Sequence, residues 1–482
     1  MPLFPAFAKT YTNVRDYGAV GDGINDDTAN IQNVFNSAVA GSIIYFPPGI
    51  YLISASLQFP GNIKILGCGA SDSGSIIRVK TGTALATPIM ASKDWYANAI
   101  HSGNPVEICD LMIDANSATT GSNAHGLVLM NYWSIVENVS ISGPKGDGLL
   151  LSAQTRNGTH ILNTCVETKL IRIQARNCGN SGIHVQDNGT GLNSCTDGFI
   201  EDCIIQGAGY RGIDVEMGPG WKINGNHIYG TVLDAINVLK CYATRVDENY
   251  VDGYGSGSST YIAGIGMTMI DGRGSSCIGN HIDFSAGTAS GVYQGLVMTG
   301  AGSGITKVTV LGNTIVGGSQ SGSLGMVFQT QNSQHGHPFF IYSCFNDVQA
   351  VSTTLYEDSY VSQSDNLVIG HLGSNSQNAP TAAPGAQAGA GAPTPILANC
   401  SDLSGQITFG TGTGAAAGAQ VVVTFNGAYG VAPKVILTPI NSASSLLYPY
   451  VSSTQTNFTV SCALPSSSQP NTTYGFNYIV MI

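Results

Sequence analysis

Residues 182–185 read Gly-Ile-His-Val and residues 212–215 read Gly-Ile-Asp-Val: a small residue, then apolar, polar, apolar. The pattern recurs as Gly126-Leu-Val-Leu, Gly148-Leu-Leu-Leu, Ala235-Ile-Asn-Val, Gly264-Ile-Gly-Met, Gly295-Leu-Val-Met and Gly325-Met-Val-Phe. In chain order the intervals are 22, 34, 30, 23, 29, 31 and 30 residues. A strand that returns every 20 to 35 residues or so is the signature of a solenoid, in which each repeat buries its apolar face against its neighbours.

A second strand travels with the first. It reads Glu137-Asn-Val-Ser-Ile, Gly225-Asn-His-Ile, Glu248-Asn-Tyr-Val, Gly279-Asn-His-Ile and Gly312-Asn-Thr-Ile, with Asp202 in the Asn place of Glu201-Asp-Cys-Ile. Stacked coils would align Asn138, Asn226, Asn249, Asn280 and Asn313 into an amide ladder that satisfies buried polar groups. The intervals are too short for helical crossovers, and the i, i+3, i+4 spacing is absent. The coils therefore connect through turns, as in a parallel β-helix with ~4.8 Å between windings.

Side chains alternate across a strand. The first and third residues after each small residue are apolar in every repeat, from Leu127/Leu129 to Met326/Phe328, and must face the core. The outer face then carries His125, Asp147, His184, Gln186, Arg211, Asp214, Glu216, Asp234 and Asn237. Later repeats put Gly266, Val297 and Val327 where Asp214 stands. Polar chemistry is thus concentrated on about four windings, which reads as a saccharide groove, with a merely solvated outer sheet as the alternative.

Composition narrows the partners. The chain has 482 residues, 62 of them Gly, and only 10% are charged, which suits short strands and turns rather than long helices. A net charge of -11 with 18 Lys+Arg opposes nucleic-acid binding. No apolar run reaches the ~18 residues of a membrane span. Met1 to Thr10 lacks a basic start and an apolar signal core, so the expectation is a secreted protein whose signal has been removed, or a virion component. The 11 Cys include no CxxC pair; Cys165, Cys178, Cys195 and Cys203 read as stacked core thiols, with loop disulfides as the alternative.

Four regions follow: an N-terminal cap with the first coils over residues 1–100, a central β-helix over 101–372, a Pro/Ala/Gly-rich linker over 373–395, and a small β domain over 396–482. Alternation in Val421-Val-Val-Thr-Phe and Asn457-Phe-Thr-Val supports strands in the last.

The stretch Asn13-Val-Arg-Asp-Tyr-Gly-Ala-Val-Gly-Asp-Gly-Ile-Asn-Asp-Asp-Thr-Ala-Asn-Ile-Gln, followed by Ile44-Tyr-Phe-Pro-Pro-Gly-Ile-Tyr, resembles the opening of the pectate-lyase-like superfamily, which includes polygalacturonases, alginate epimerases and phage tailspike depolymerases. The resemblance implies an all-β, right-handed parallel β-helix whose first turn is capped by a helix at about Asp27 to Ala40, with Asp27 or Thr28 as its N-cap. The Asp-rich loop Asp22 to Asp27 is read as structural, and no metal or other cofactor is expected. The segments Thr408-Phe-Gly-Thr-Gly-Thr-Gly, Ala432-Pro-Lys-Val-Ile-Leu-Thr-Pro and Tyr474-Gly-Phe-Asn-Tyr-Ile-Val resemble the end modules of phage tail and cell-wall-associated proteins. They imply a β-sandwich for trimerisation or sugar binding, hence a homotrimer of tailspike type. The Asn-Thr-Asp and Gly-His-Gly motifs of polygalacturonases and the Asp-Pro-His-Glu motif of alginate epimerases are missing, so the chemistry has to be read from the residues themselves.

Glycoside hydrolysis sets two carboxyls across the bond. Asp214 and Glu216 lie two apart on one outward face, with Cβ atoms ~6.6 Å apart, and are assigned as acid and base. This spacing is compatible with an inverting pair, which takes roughly 6.5 to 9.5 Å between carboxyls. Asp187 is a substitute for either. Asp234 is a further candidate, or else the partner of Arg211 in a structural ion pair. His184, beneath Asp214, positions substrate or tunes that carboxyl. Arg211, Asp147, His125, Gln186 and Asn237 complete the polar lining, and Tyr210, Trp221 and Tyr242 are expected either to stack on sugar faces or to fill turns. The rival chemistries are β-elimination on a uronic acid, with Arg211, Lys222 and Lys240 as cations, an intramolecular glycosyl or fructosyl transfer, and glycan binding without catalysis.

Overall fold

The computed structural model describes residues 11–187, 194–257, 261–287, 291–301, 306–318, 320–331, 339–357, 361–362, 379–429, 431–463 and 473–481. They form two units, residues 1–367 and 368–482.

The first unit is a right-handed parallel β-helix of about 11 turns. The small-residue track supplies the central strands of an 11-stranded parallel sheet. These are β1 (Leu127–Leu129), β2 (Leu149–Ser152), β3 (Ile183–Gln186), β4 (Ile213–Val215), β5 (Ile236–Cys241), β6 (Ile262–Met269), β7 (Tyr293–Gly300) and β8 (Leu324–Thr330). Their register is the one the repeats predict: Leu127, Leu149, Ile183, Ile213, Ile236, Ile265, Leu296 and Met326 are successive partners. These residues, and those two positions on, are at most 1% exposed. Burial of each aliphatic side chain contributes about 1.5–3 kcal/mol.

The small residue at the head of each strand has a steric cause. A Cβ on Gly182 would lie 2.3 Å from Cγ2 of Ile205, and one on Gly212 would lie 2.4 Å from Cγ2 of Ile228. The facing strand's isoleucine takes the space that a side chain would need.

The other strands of the coils form a parallel sheet system of 22 strands. At its inner turn the amide ladder runs Asn226, Asn249, Asn280, Asn313 and Asn346, each Nδ2 donating to the next Oδ1 over 2.8–2.9 Å. Each Nδ2 also reaches a main-chain carbonyl, such as Ile223 O from Asn249 at 2.9 Å. Two expectations are corrected here. Asn138 and Asp202 lie one residue earlier, at a left-handed position (φ 52° and 55°) shared with Gly225, Glu248 and Gly279. Cys203, not Asp202, holds the ladder place, and its amide donates to Asn226 Oδ1 at 2.9 Å. Asn346 extends the ladder beyond the predicted members.

Helix α1 (Thr28–Ser37) covers the first turn and ends three residues before the expected Ala40. Asp27 is its N-cap by position, but its carboxylate accepts from the amides of Val20 and Gly21 rather than from the helix. Asp22 likewise accepts from the amides of Ile24 and Asn25, so these acids organise the loop. The four cysteines singled out are buried free thiols.

The second unit has two four-stranded antiparallel sheets. Ile407, Val421, Phe458, Val460, Phe476 and Tyr478 fill its core. The segment read as a linker departs from expectation. Residues 373–378 lie outside the described residues, but Thr381–Pro384 is an edge strand paired to Val421–Thr424. An edge strand needs backbone hydrogen bonds more than bulky side chains, and it tolerates proline.

Candidate active site

The outward column of the 11-stranded sheet reads Val128, Leu150, His184, Asp214, Asn237, Gly266, Val297 and Val327 in direct register. Val128 and Leu150 are buried, at 0% and 4% exposed. At the other end Ala263, Val297 and Val327 form an apolar cluster of their own. The polar chemistry therefore occupies the middle windings β2 to β5, with apolar surface above and below.

Asp147 is the buried anchor, its side chain 2% exposed. Its Oδ1 accepts from Asn180 Nδ2 (2.5 Å) and the Ser181 amide (3.0 Å). Its Oδ2 meets Nδ1 of His125 at 3.1 Å and Nδ1 of His184 at 3.2 Å. His184 spans the windings: its Nε2 lies 3.2 Å from Glu216 Oε1, and the other Glu216 oxygen accepts from the Asp187 amide at 2.8 Å. Asp187 is held by Ser194 Oγ at 2.6 Å and by Lys240 Nζ.

A second group adjoins the first. Arg211 Nη1 reaches both oxygens of Asp214, at 3.1 and 3.2 Å, and its Nε reaches Asp234 Oδ2 at 3.0 Å. Asn237 Nδ2 donates to Asp214 Oδ1 at 2.8 Å. The Arg211–Asp234 pair expected from sequence is present, and Asp214 shares the same guanidinium.

Electrostatics follow from these contacts. Burial works to raise the pKa of Asp147, but hydrogen bonds and charge from His125 and His184 outweigh it and hold the carboxyl well below the usual range. Burial pulls His184 down, but hydrogen bonds to Asp147 and Glu216 and the charges of Asp147 and Asp214 push it up to about 10. It is an imidazolium at neutral pH. Burial also opposes ionisation of Glu216, and His184 with the Asp187 amide overcomes it and lowers that pKa. Arg211 is raised: burial opposes its charge, but Asp214 and Asp234 prevail. Among the described residues the cluster holds five carboxylates (Asp147, Asp187, Asp214, Glu216, Asp234) against four basic side chains (His125, His184, Arg211, Lys240).

Exposure separates the carboxylates. The Glu216 side chain is 37% exposed, whereas Asp214 is 4% and Asp187 is 6% exposed. Asp214 faces outward as predicted but lies under Arg211 and Asn237. Gln186 is occupied by Ser152 Oγ at 2.6 Å. The rings of Tyr210 and Tyr242 are half-buried and carry the guanidinium groups of Arg211 (4.7 Å) and Arg273 (3.8 Å). Trp221 is a correction: it is fully buried, its indole N–H donating to Cys195 O at 3.1 Å, and it offers no face to a sugar. Lys222 lies on the other sheet system, over the ring of Phe199 at 4.3 Å, so it does not flank the site. Asn180 and Ser194 were not anticipated. Asn180 lies two residues before Gly182 in the repeat and was detectable there, whereas Ser194 reaches the site from a loop that carries no pattern.

Residues 11–259, just over half of the chain, match the family described as rhamnogalacturonase A/epimerase, pectate lyase-like. The chain belongs to that family. Within this pectate-lyase-like setting two curated relatives are similar over shorter stretches. A "Probable glucan endo-1,3-beta-glucosidase" of Arthroderma benhamiae is 32% identical over 130 residues, 27% of this chain and 14% of that protein. The mannuronan C5-epimerase AlgE6 of Azotobacter vinelandii is 30% identical over 123 residues, 24% of this chain and 13% of that enzyme. The matches thus span far less than two thirds of either relative. Among solved structures, the tailspike protein gp49 from Pseudomonas phage LKA1 aligns with 98% of this chain and 99% of its own at 12% identity and a TM-score of 0.49.

Proposed function

We propose that this pectate-lyase-like chain is a polysaccharide-degrading glycoside hydrolase that works on the outer face of β3 to β5. The observation that carries the reading is the composition of the cluster, five carboxylates facing four basic side chains around the accessible Glu216. Hydrolysis of a glycoside passes through a transition state with positive charge at the anomeric carbon, which an excess of fixed negative charge stabilises. The same excess repels a polyuronate, so it favours a neutral glycan over the β-elimination reading. The glucan endo-1,3-beta-glucosidase relative supports that class of substrate by its name.

Glu216, ionised and reachable, is the base that activates water. Asp214 is the second carboxyl and donates the proton to the leaving oxygen. Arg211 is shared between Asp214 and Asp234, so it can release Asp214 and keep a counter-charge. With Arg211 drawn to Asp234, Asp214 takes a proton from solvent and passes it to the leaving oxygen. Asp187 and Asp234 hold Lys240 and Arg211 in place. The homotrimer and the extracellular or virion-tail setting expected from sequence accompany this reading.

The test is incubation with neutral and acidic polysaccharides, read by new reducing ends, by ultraviolet absorbance of unsaturated products and by chromatography for cyclic products. Reducing ends without unsaturation, lost in Glu216→Gln and Asp214→Asn with the fold intact, are expected. Unsaturated products would replace the reading by a lyase, cyclic products by a transferase, and no product from any polymer by a binding fibre.

A further inference from the structure

One turn of the coil has a fixed backbone demand. Trp133, Glu167, Asp197, Gly220, Ala243 and Gly274 each adopt left-handed φ, between 51° and 72°. They stack in register: the amide of Trp133 donates to Val166 O, that of Glu167 to Thr196 O, that of Asp197 to Pro219 O and that of Gly220 to Tyr242 O. Successive members are therefore about one winding, ~4.8 Å, apart. Two windings fill the position with glycine, which takes positive φ without penalty. One fills it with tryptophan, whose bulk makes this conformation unfavourable.

The tryptophan is also placed on the surface rather than in the core. Trp133 is 64% exposed, the largest exposure of any aromatic side chain but Tyr261 among the described residues. Strained backbone and exposed aromatic surface oppose stability together, and such a combination persists where function requires it. The next two members of the column, Glu167 and Asp197, are exposed acids.

We infer that Trp133, with Glu167 and Asp197 along the same edge, is a second glycan-binding site that takes the ring of a neutral pyranose. The indole offers a flat apolar face for the C–H side of the sugar, and the carboxylates accept from its hydroxyls. Acids in this place exclude a polyuronate, in agreement with the charge of the active site. Trp133 lies in the turn that follows β1 and Glu216 directly after β4, three windings on, so the site gives a long chain a second hold. The inference rests on the proposed class of substrate, a neutral glycan, and not on its cleavage.

The test uses the full chain with Glu216→Gln to prevent turnover, and affinity electrophoresis in gels containing laminarin, galactomannan, hydroxyethyl cellulose, alginate or polygalacturonate. Retention by at least one neutral polymer is expected, weakened about fivefold to tenfold by Trp133→Gly. Trp133→Gly suits the left-handed backbone, so its melting temperature should not fall, and misfolding cannot imitate the loss. Glu167→Gln with Asp197→Asn should weaken retention as well. Retention unchanged in Trp133→Gly, retention by the polyuronates alone, or no retention by any polymer overturns the inference. So does a change of oligomeric state in Trp133→Gly, seen by sedimentation, which would make the ring an interface between copies. Cleavage without altered retention refutes this site alone; retention that depends on Trp133 without cleavage refutes the hydrolase reading alone.

Discussion

His184 Nδ1 lies 3.2 Å from Asp147 Oδ2, and its Nε2 lies 3.2 Å from Glu216 Oε1, so one imidazolium ties a fully buried carboxylate to the most exposed carboxylate of the cluster. The bridge crosses windings: Asp147 immediately precedes Gly148, and Glu216 follows β4. It keeps Glu216 ionised, and together with the Asp187 amide it fixes both carboxylate oxygens, so the half-exposed carboxylate is held in one orientation towards solvent.

That bridge makes stability depend on pH. The folded pKa of His184 is raised from 6.5 to about 10, so its contribution is complete below about 6.5 and is lost as pH rises through 10. Asp147 is depressed, so its contribution is present above the ordinary carboxylate pKa and is lost only as pH falls well below it. Denaturant titrations of the wild type should show stability declining between pH 7 and 10. In His184→Asn that decline should flatten; an equally steep decline in the variant would disprove the assignment.

Removing Arg211 should expose the cost of its two carboxylates. Among the described residues, Arg211→Met leaves Asp214, 4% exposed, with Asn237 as its remaining side-chain donor. We expect a loss between about 1 and 4 kcal/mol at neutral pH, the range between surface and buried pairs. An unpaired buried carboxyl has a raised folded pKa, so its protonation restores stability on acidification. The check is the denaturation midpoint at pH 4 against pH 8; a loss that is equal at both would contradict the pairing.

The amide ladder should be cooperative. Asn280→Ala removes the acceptor for the amide and Nδ2 of Asn249, and the donor to Asn313 and to Val246 O. Leaving buried groups unpaired costs about 1–3 kcal/mol each. Asn138→Ala, outside the ladder, should destabilise less. Thermal melts of the two variants decide between the observed ladder and the one read from sequence.

Trp221 provides a separate check on what lines the groove. Trp221→Ala should cost about 3–5 kcal/mol through the cavity it leaves, whereas a sugar-stacking residue would chiefly raise KM. Calorimetry beside kinetics on a cleaved polymer distinguishes these outcomes.

The sequence by itself determined the solenoid, the register of β1 to β8 and the outward placement of His184, Asp214 and Glu216. Strand alternation and a period marked by steric necessity leave a winding only one way to stack, so local pattern and global fold coincide. It did not determine the ladder's register, because Asn138 and Asn226 occupy similar words one step apart, and only the left-handed turn separates them. Nor did it place Trp221, Lys222 or the linker residues 381–384, since a turn residue's direction depends on how the next winding closes over it. Which carboxylate is reachable was decided by tertiary structure alone. Asp214 and Glu216 are equivalent in pattern, but Arg211 and Asn237 from neighbouring positions cover the first, and His184 leaves the second open.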